Sequence, residues 1–475
     1  MEKENKLLNY IKTNKEYILL SVIILLAFLL RIYKISAPSL WHDELMTIGR
    51  ISGSWLDTLT NLADSPFPPL YYLILKAWTS LIGISEWSLR FPSALFGAIL
   101  LIYLYKLTKL ITNNKQTAYL AALLGAFWPY LINYSQEAKM YTLVWLLGLA
   151  SWYYFLIFLK DQKSNNKWKY ILSTIALIYT LYLGFLLLLT QIIIWFIYNK
   201  NKDYLKSLFI IILSYLPWVS IAFTNISHKK GILWIGKTEN YLINLGSIFL
   251  SFINSYKIEE INILTIAITI LVIYGIYHLI KEKQESLEKN SALFYLITPI
   301  ILLSLIDYFY TPILVTRYLS FAIFPLIIIL SYSINKTRDW NKYIPHILIL
   351  LIISLFITSN LSTYYENSLK IDRENWKPML KEICDKWPNS TFLTSTDIPE
   401  ASLSFYAPCV KDKLFYLSLI KEQNFNDSSI VFFDRYNSYA LMNQYIFEKE
   451  NDQYIKIDEI QETNIYVIFY KKDDN

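Results

Sequence analysis

A mainly α-helical protein, a polytopic transmembrane bundle of about 11–13 spans with a small C-terminal α/β extramembrane domain, is the fold class that this sequence predicts. Three observations predict it. The chain of 475 residues is 55% hydrophobic and only 17% charged, and its apolar residues fall in long blocks separated by short Lys-rich breaks. It carries 39 Tyr and 14 Trp, which favour the headgroup level at the ends of membrane spans. After Ser359 the pattern changes to mixed charge and short β-type runs. The net charge of +6 fits cytoplasmic loops held against an anionic leaflet, and gives no reason to invoke nucleic acid as a partner.

Residues 1–16 are Lys-rich and read as cytoplasmic by the positive-inside rule. The first apolar stretch, 17–33, runs into a polar loop with no small-residue cleavage site, so no cleavable signal peptide is expected. Further apolar blocks follow at 69–83, 89–111, 117–133, 141–159, 170–183, 185–198, 205–223, 261–280, 292–308, 313–333 and 343–359. The 170–198 region is split at Gly184, which suits either a tight helix pair or one long tilted helix. Residues 240–255 are amphipathic enough to lie on the membrane surface. Basic loops at 106–115, 160–169, 200–206, 281–289 and 336–342 are expected to be cytoplasmic, leaving 134–141, 224–260, 307–317 and the C-terminal tail external. The predicted domains are therefore a membrane domain, 1–360, and an external domain, 361–475. The external domain is expected to hold strands near 391–394, 430–433 and 464–470 and helices near 376–386 and 439–447. Its two cysteines, Cys384 and Cys409, form a disulfide if that compartment is oxidising and remain thiols otherwise.

Five polar motifs punctuate the membrane domain. Trp41-His42-Asp43-Glu44 follows the first span and sets two adjacent carboxylates and a histidine at the bilayer edge, where ionisable groups are costly unless paired or functional. One carboxylate suits a general base. The other suits an orienting group, or a divalent metal ligand together with His42. The competing reading is a cap on a helix over 45–51. Asp64-Ser-Pro-Phe-Pro-Pro-Leu-Tyr71-Tyr72 opens the next apolar block. Its tyrosines suit a sugar or phosphate at the interface, or simply an aromatic belt. Arg90 begins another helix, in register to pair with Glu86. Tyr134-Ser-Gln-Glu137-Ala-Lys139-Met-Tyr141 joins two spans. There Lys139 suits a lipid phosphate and Glu137 a sugar hydroxyl, against a salt-bridged turn as the alternative. Arg317-Tyr318 opens a further apolar helix. Its guanidinium can grip two phosphate oxygens, or snorkel to headgroups.

In order and together, these motifs resemble the protein-mannosyltransferase-like GT-C glycosyltransferases. That family includes relatives of the dolichyl-phosphate-mannose protein mannosyltransferases and of the lipid A aminoarabinose transferase. The matching residues are Trp41–Glu44, Ser65–Tyr72, Glu86–Gly97, Ser135–Tyr141 and Arg317-Tyr318, with Arg373–Trp376 opening the external domain. The resemblance implies a GT-C bundle, a cell-membrane location, an external active site and a polyprenyl-phosphate-linked sugar donor. The acceptor is a lipid, glycan or protein. Asp43 and Glu44 are the catalytic candidates, with Asp43 as base. Arg317, Lys139 and Tyr318 are the donor-phosphate candidates, and His42, Tyr71, Tyr72, Glu137 and Tyr141 the substrate-binding ones. No cofactor is required by this reading, and a divalent metal is compatible with it. Two positions depart from the pattern. Phe67 stands where many members carry His or Lys, and Lys139 replaces the usual Arg, keeping the charge but losing the bidentate fork. The rival class is a lipid-linked sugar flippase or polysaccharide transporter, which would distribute charges along a path through the bundle.

Overall fold

The computed structural model describes residues 2–161, 164–198, 202–228, 232, 235–254, 263–281, 287–367, 376–394, 403–410, 414–416, 429–435, 454–462 and 465–472. The helix expected at 439–447 and residues 373–375 of the last motif lie outside them. The helices in chain order are α1 (Glu2–Ile32), α2 (His42–Ile51), α3 (Trp55–Ala63), α4 (Leu70–Ile82), α5 (Glu86–Thr112), α6 (Lys115–Phe127), α7 (Pro129–Ser135), α8 (Tyr141–Lys160) and α9 (Ser164–Ile178). There follow α10 (Gly184–Tyr198), α11 (Lys202–Ser227), α12 (Tyr241–Asn254), α13 (Ile263–Lys281), α14 (Leu287–Phe309), α15 (Thr316–Leu319), α16 (Ile323–Lys336), α17 (Ile344–Asn367) and α18 (Trp376–Lys386). Among the described residues, six helices are long and apolar enough to cross a membrane, and four shorter apolar ones accompany them. A total of about 11–13 crossings needs all ten of these and at least one further helix to cross.

The chain divides into two compact units. The first comprises Met1–Tyr33, Leu62–Leu81 and Ser88–Leu361, and the second Lys34–Asn61, Ile82–Trp87 and Ser362–Asn475. The Trp41 motif and Glu86 thus belong to the second unit by contact, although they precede most of the bundle in sequence.

In the first unit, local chemistry sets the breaks between helices. Pro129 takes the first position of α7 and separates it from α6, dividing the apolar block read as 117–133. The 170–198 region resolves as a tight pair, α9 and α10, joined by a turn at 179–183. Buried polar side chains knit the core, as helices in an apolar solvent require. Gln191 Nε2 donates to Ser151 Oγ and to Tyr295 Oη, each at 2.8 Å. Tyr170 Oη donates to Gln191 Oε1 at 3.0 Å. Helices α13 and α16 approach closely at Gly275, where a Cβ would lie 2.8 Å from the Ile329 carbonyl oxygen.

The second unit holds a five-stranded sheet: β1 (Thr391–Thr394), β2 (Leu414–Tyr416), β3 (Ser429–Arg435), β4 (Tyr454–Glu462) and β5 (Ile465–Lys472). Its order is β2-β1-β3-β5-β4, with β1 parallel to β2 and β3 and the β5 pairings antiparallel. Helix α18 buries Trp376, Met379, Leu380 and Ile383, one stripe at helical spacing. Cys384 near its end is disulfide-bonded to Cys409, with Cα atoms 5.7 Å apart.

Candidate active site

In the first unit, the ends of α1, α6 and α7 are tied to the loop that carries Glu137 and Lys139. Arg31, fully buried, donates from its guanidinium to the carbonyls of Ala27, Gly125 and Ala126 at 3.0–3.1 Å and to Ser135 Oγ at 3.2 Å. It therefore satisfies carbonyls that α6 leaves open at its C-terminus. Gln136 Nε2 answers from the other side, donating to the carbonyls of Arg31 and Tyr33 at 3.1 and 3.0 Å. The short loop at 136–140 then closes on itself, with the Lys139 amide donating to the Glu137 carbonyl at 2.8 Å.

Lys139 is 1% exposed and Glu137 2% exposed, so both are interior groups of this loop. The Lys139 main chain is held from α4 and α5: its carbonyl accepts from Ser93 Oγ at 3.1 Å, and Ser93 bonds Tyr71 Oη at 3.1 Å. The Lys139 ammonium lies 5.5 Å from the centre of the Phe67 ring, a cation–π placement. The Phe67 ring therefore serves as a seat for the cation. Tyr72 packs edge-on against Tyr71, ring centres 5.5 Å apart, and both rings are fully buried. Tyr141, at the start of α8, packs edge-on against Tyr134 at 5.2 Å.

Arg317 sits in α15 with its guanidinium carbon 5.8 Å from the centre of the Tyr318 ring. The turn before it is fixed by Asp307 at the end of α14. Asp307 Oδ1 accepts from the amides of Ile313 and Leu314 at 2.6 and 2.7 Å, and Oδ2 accepts from Tyr241 Oη at 2.8 Å. Behind α15, Trp145 Nε1 donates to Ser320 Oγ at 2.9 Å, and Ser320 Oγ donates to the Arg317 carbonyl at 2.8 Å.

Phe67 and Tyr318, the two rings that carry cations, line one cavity of about 660 Å³ together with Leu186, Val219, Phe223 and Ile306. Its wall is apolar apart from a few groups. Among the described residues, the hydroxyls of Tyr182 and Tyr215 and the Oδ1 of Asn225, all on its lining, have no protein hydrogen-bond partner. Asn225 itself is held by its Nδ2, which donates to the Ser65 carbonyl at 2.7 Å.

In the second unit, α2 begins at His42, three residues earlier than the helix read at 45–51. The acid pair thus lies inside the first helical turn, because Trp41 takes the extended N-cap conformation. Glu44 is fully buried and accepts from the Trp41 amide at 3.3 Å, the reciprocal half of a capping box. Asp43 and His42 are only half-buried. The preceding strand of chain is clamped by the C-terminal part. The Leu40 amide donates to Tyr406 Oη at 2.9 Å, Tyr406 Oη donates to Glu86 Oε1 at 3.3 Å, and Lys377 Nζ pairs with the same oxygen at 2.8 Å. The Lys377 amide adds a bond to Ser39 Oγ at 3.2 Å. Glu86 thus takes the Lys377 ammonium, a partner 291 residues away in sequence.

The site residues read from sequence therefore fall into two groups. Lys139, Glu137, Tyr71, Tyr72, Tyr141, Arg317 and Tyr318 belong to the first unit, and His42, Asp43 and Glu44 to the second. Among the described residues, no group of three or more His, Cys, Asp or Glu side chains is gathered as a metal site. Four structural supports escape a motif reading: Arg31, Asp307, Asn225 and Tyr406. Arg31 and Asp307 carry a usable signal, being lone charges at the ends of apolar helices. Tyr406 carries none.

Residues 66–227 match the sequence model of the dolichyl-phosphate-mannose-protein mannosyltransferase family. No curated protein matches the chain by sequence. Among solved structures, the chain is similar to ArnT from Cupriavidus metallidurans in its apo state, with a TM-score of 0.63 and 10% identity over 94% of this chain and 97% of ArnT. The undecaprenyl-phosphate-bound form of that protein matches at 0.61. The archaeal oligosaccharyltransferase AglB from Archaeoglobus fulgidus, solved with an inhibitory peptide and a dolichol-phosphate, matches at 0.58 with 11% identity over 98% of this chain and 75% of AglB. The mycobacterial arabinofuranosyltransferase AftD matches at 0.51 with 12% identity, over 96% of this chain and 41% of AftD. The chain thus has the fold of the GT-C glycosyltransferases and, over residues 66–227, the sequence signature of their protein-mannosyltransferase-like branch.

Proposed function

We propose that this protein is an integral membrane glycosyltransferase that moves a sugar from a polyprenyl-phosphate donor to a lipid, glycan or protein acceptor at the outer membrane face, with inversion at the anomeric carbon. The observation that carries the reading is the cavity of the first unit. An apolar chamber of about 660 Å³ whose lining rings Phe67 and Tyr318 each hold a cation suits an amphiphile with a phosphate head and a hydrocarbon tail. The lipid phosphates bound by ArnT and AglB in the solved complexes are of that chemistry.

In the mechanism, Asp43 takes the proton of an acceptor hydroxyl as its oxygen attacks the anomeric carbon. The bond from that carbon to the phosphate oxygen breaks, and the polyprenyl phosphate leaves with the electron pair. Lys139 and Arg317 stabilise the charge that grows on it. A phosphate leaving group needs no proton, so one working carboxylate suffices. Glu44, bonded to the Trp41 amide, holds the start of α2 and so orients Asp43. Glu137 and Tyr141 serve the sugar, with His42 beside the base. A divalent metal, where one is used, would draw on His42 and Glu44, the carboxylate that does not act as base. An oxidising compartment for the second unit is supported by its disulfide and agrees with a cytoplasmic N-terminus and an external C-terminal domain.

The test is transfer from a radiolabelled polyprenyl-phosphate sugar by the purified protein, compared with Asp43→Asn and Arg317→Gln. Loss of a general base lowers turnover by about 10²–10⁴-fold, and Arg317→Gln should weaken donor binding. Full turnover in a folded Asp43→Asn protein would remove Asp43 as base. Donor binding without transfer to any acceptor class would instead favour a flippase.

A further inference from the structure

The acid motif Trp41–Glu44 hangs on the two residues before it, and the C-terminal part of the second unit holds both. Ser39 and Leu40 are buried. The Leu40 amide donates to Tyr406 Oη at 2.9 Å, and Ser39 Oγ accepts from the Lys377 amide at 3.2 Å. The same two arms meet on one carboxylate oxygen, because Glu86 Oε1 accepts from Tyr406 Oη at 3.3 Å and pairs with Lys377 Nζ at 2.8 Å. Asp43 lies in the first turn of α2. The amides of Glu44 and Leu45 bond the Trp41 carbonyl at 2.9 and 3.0 Å, which fixes the geometry of that turn. A shift of the 39–40 backbone is therefore passed on to Asp43 as a displacement of the whole turn.

The two arms are anchored differently. Helix α18, which carries Lys377, is set into the core by Trp376, Met379, Leu380 and Ile383. Tyr406 belongs to the short irregular segment 403–410, in which Leu403 and Ala407 are buried. Three residues beyond Tyr406, Cys409 is bonded to Cys384 of α18. The disulfide thus ties the segment that bears one arm to the helix that bears the other. Both cysteines are half-buried, so a reductant can reach them.

We infer that Tyr406 is a positioning residue for Asp43, and that the Cys384–Cys409 bond makes its hold redox-dependent. A dithiol of the thiol–disulfide oxidoreductase class attacks one sulfur, forms a mixed disulfide with it and then closes its own disulfide. Two electrons and two protons pass to the protein, leaving Cys384 and Cys409 as thiols. The 403–410 segment loses its covalent tie to α18, Tyr406 Oη withdraws from Leu40, and the start of α2 loosens while Lys377 keeps Ser39 and Glu86.

The full-length protein in detergent is compared in three forms, oxidised, reduced with a dithiol, and as Tyr406→Phe, at a temperature where each is folded. Hydrogen exchange of the peptide that contains Leu40 reads the tie without reference to activity. It should rise on reduction and in Tyr406→Phe. Turnover with a radiolabelled polyprenyl-phosphate sugar should fall about 10–100-fold in both, at unchanged KM for the donor, as a displaced catalytic group requires. Reoxidation should restore it, and reduction of Tyr406→Phe should lower it no further. Lys386→Gln, which breaks a solvent-exposed pair with Glu382 on α18, should keep both the turnover and the redox response. The consequence for turnover rests on Asp43 as base: no transfer by the oxidised protein would remove that reading and leave exchange at Leu40 to decide the tie. Exchange at Leu40 that ignores reduction, or a redox response undiminished in Tyr406→Phe, would overturn the proposal.

Discussion

Gly97 leaves no room for a side chain. A Cβ there would stand 2.2 Å from Ser135 Oγ and 3.0 Å from Arg31 Nε, inside the contact that fastens α7 to α1. Gly97→Ala should therefore force Ser135 or Arg31 aside and cost about 1–3 kcal/mol, read as a lower melting temperature in detergent. A melting temperature equal to that of the parent would mean that this contact relaxes freely. The same scale separates the two adjacent acids. Motif and charge marked Asp43 and Glu44 alike, since neighbouring carboxylates look equivalent in a string of letters. Their difference comes from the helix: Glu44 occupies the third position of α2 and turns back to the Trp41 amide, whereas Asp43 is half-exposed. Phe67 shows the reverse. As a letter it stood only as a departure from the pattern that the motifs resemble, yet its ring lies under the Lys139 ammonium.

At the scale of elements, the supports of the site are helix ends. Asp307 closes the end of α14 and holds the amides of Ile313 and Leu314, so it sets the approach to α15. Asp307→Asn keeps the size but can offer only one acceptor oxygen. It should raise hydrogen exchange at Ile313 and Leu314 and weaken donor binding more than turnover, because Arg317 is the proposed contact of the donor phosphate. Midway along α1, the ammonium groups of Lys109 and Lys115 and the Tyr105 hydroxyl hold the Glu16 carboxyl down to about 2 from an ordinary value of 4.5. The folded state thus binds that proton less readily than the unfolded chain. Its stabilising contribution is complete above pH 4.5 and is lost as the pH falls from there toward 2. Thermal unfolding measured across that window should show a fall that flattens in Glu16→Gln, and an unchanged slope in that variant would assign the acid sensitivity elsewhere. Most helices were legible from apolar blocks, because a bilayer imposes length and composition on any span. Their exact ends were less so. Pro129 split one block in two, and Trp41 moved the start of α2 into the acid motif.

At the scale of the whole molecule, the chain is divided by contact into units that its linear order does not announce. Residues 34–61 and 82–87 join the C-terminal residues in one unit, through Tyr406, Lys377 and Glu86. The Cys384–Cys409 bond closes a separation of 25 residues beside that clamp. By chain entropy it should contribute about 3 kcal/mol. Cys384→Ser, or reduction with an impermeant phosphine, should lower the melting temperature of the second unit and speed proteolysis around residues 403–410, with the first unit unaffected. Simultaneous loss of both units would mean that they unfold as one. By itself the sequence determined the class of fold, with its apolar helical blocks and mixed C-terminal part, and the residue types of the candidate site. Transfer free energy acts on every apolar block without regard to its neighbours, and charge at a span end is costly wherever it occurs. Only the tertiary structure decided which carboxylate is tied into a helix start, which ring seats a cation and which remote tyrosine holds the acid loop. Those assignments rest on distances of about 3 Å between groups up to hundreds of residues apart, and hydrogen bonds of that length are set by packing rather than by sequence pattern.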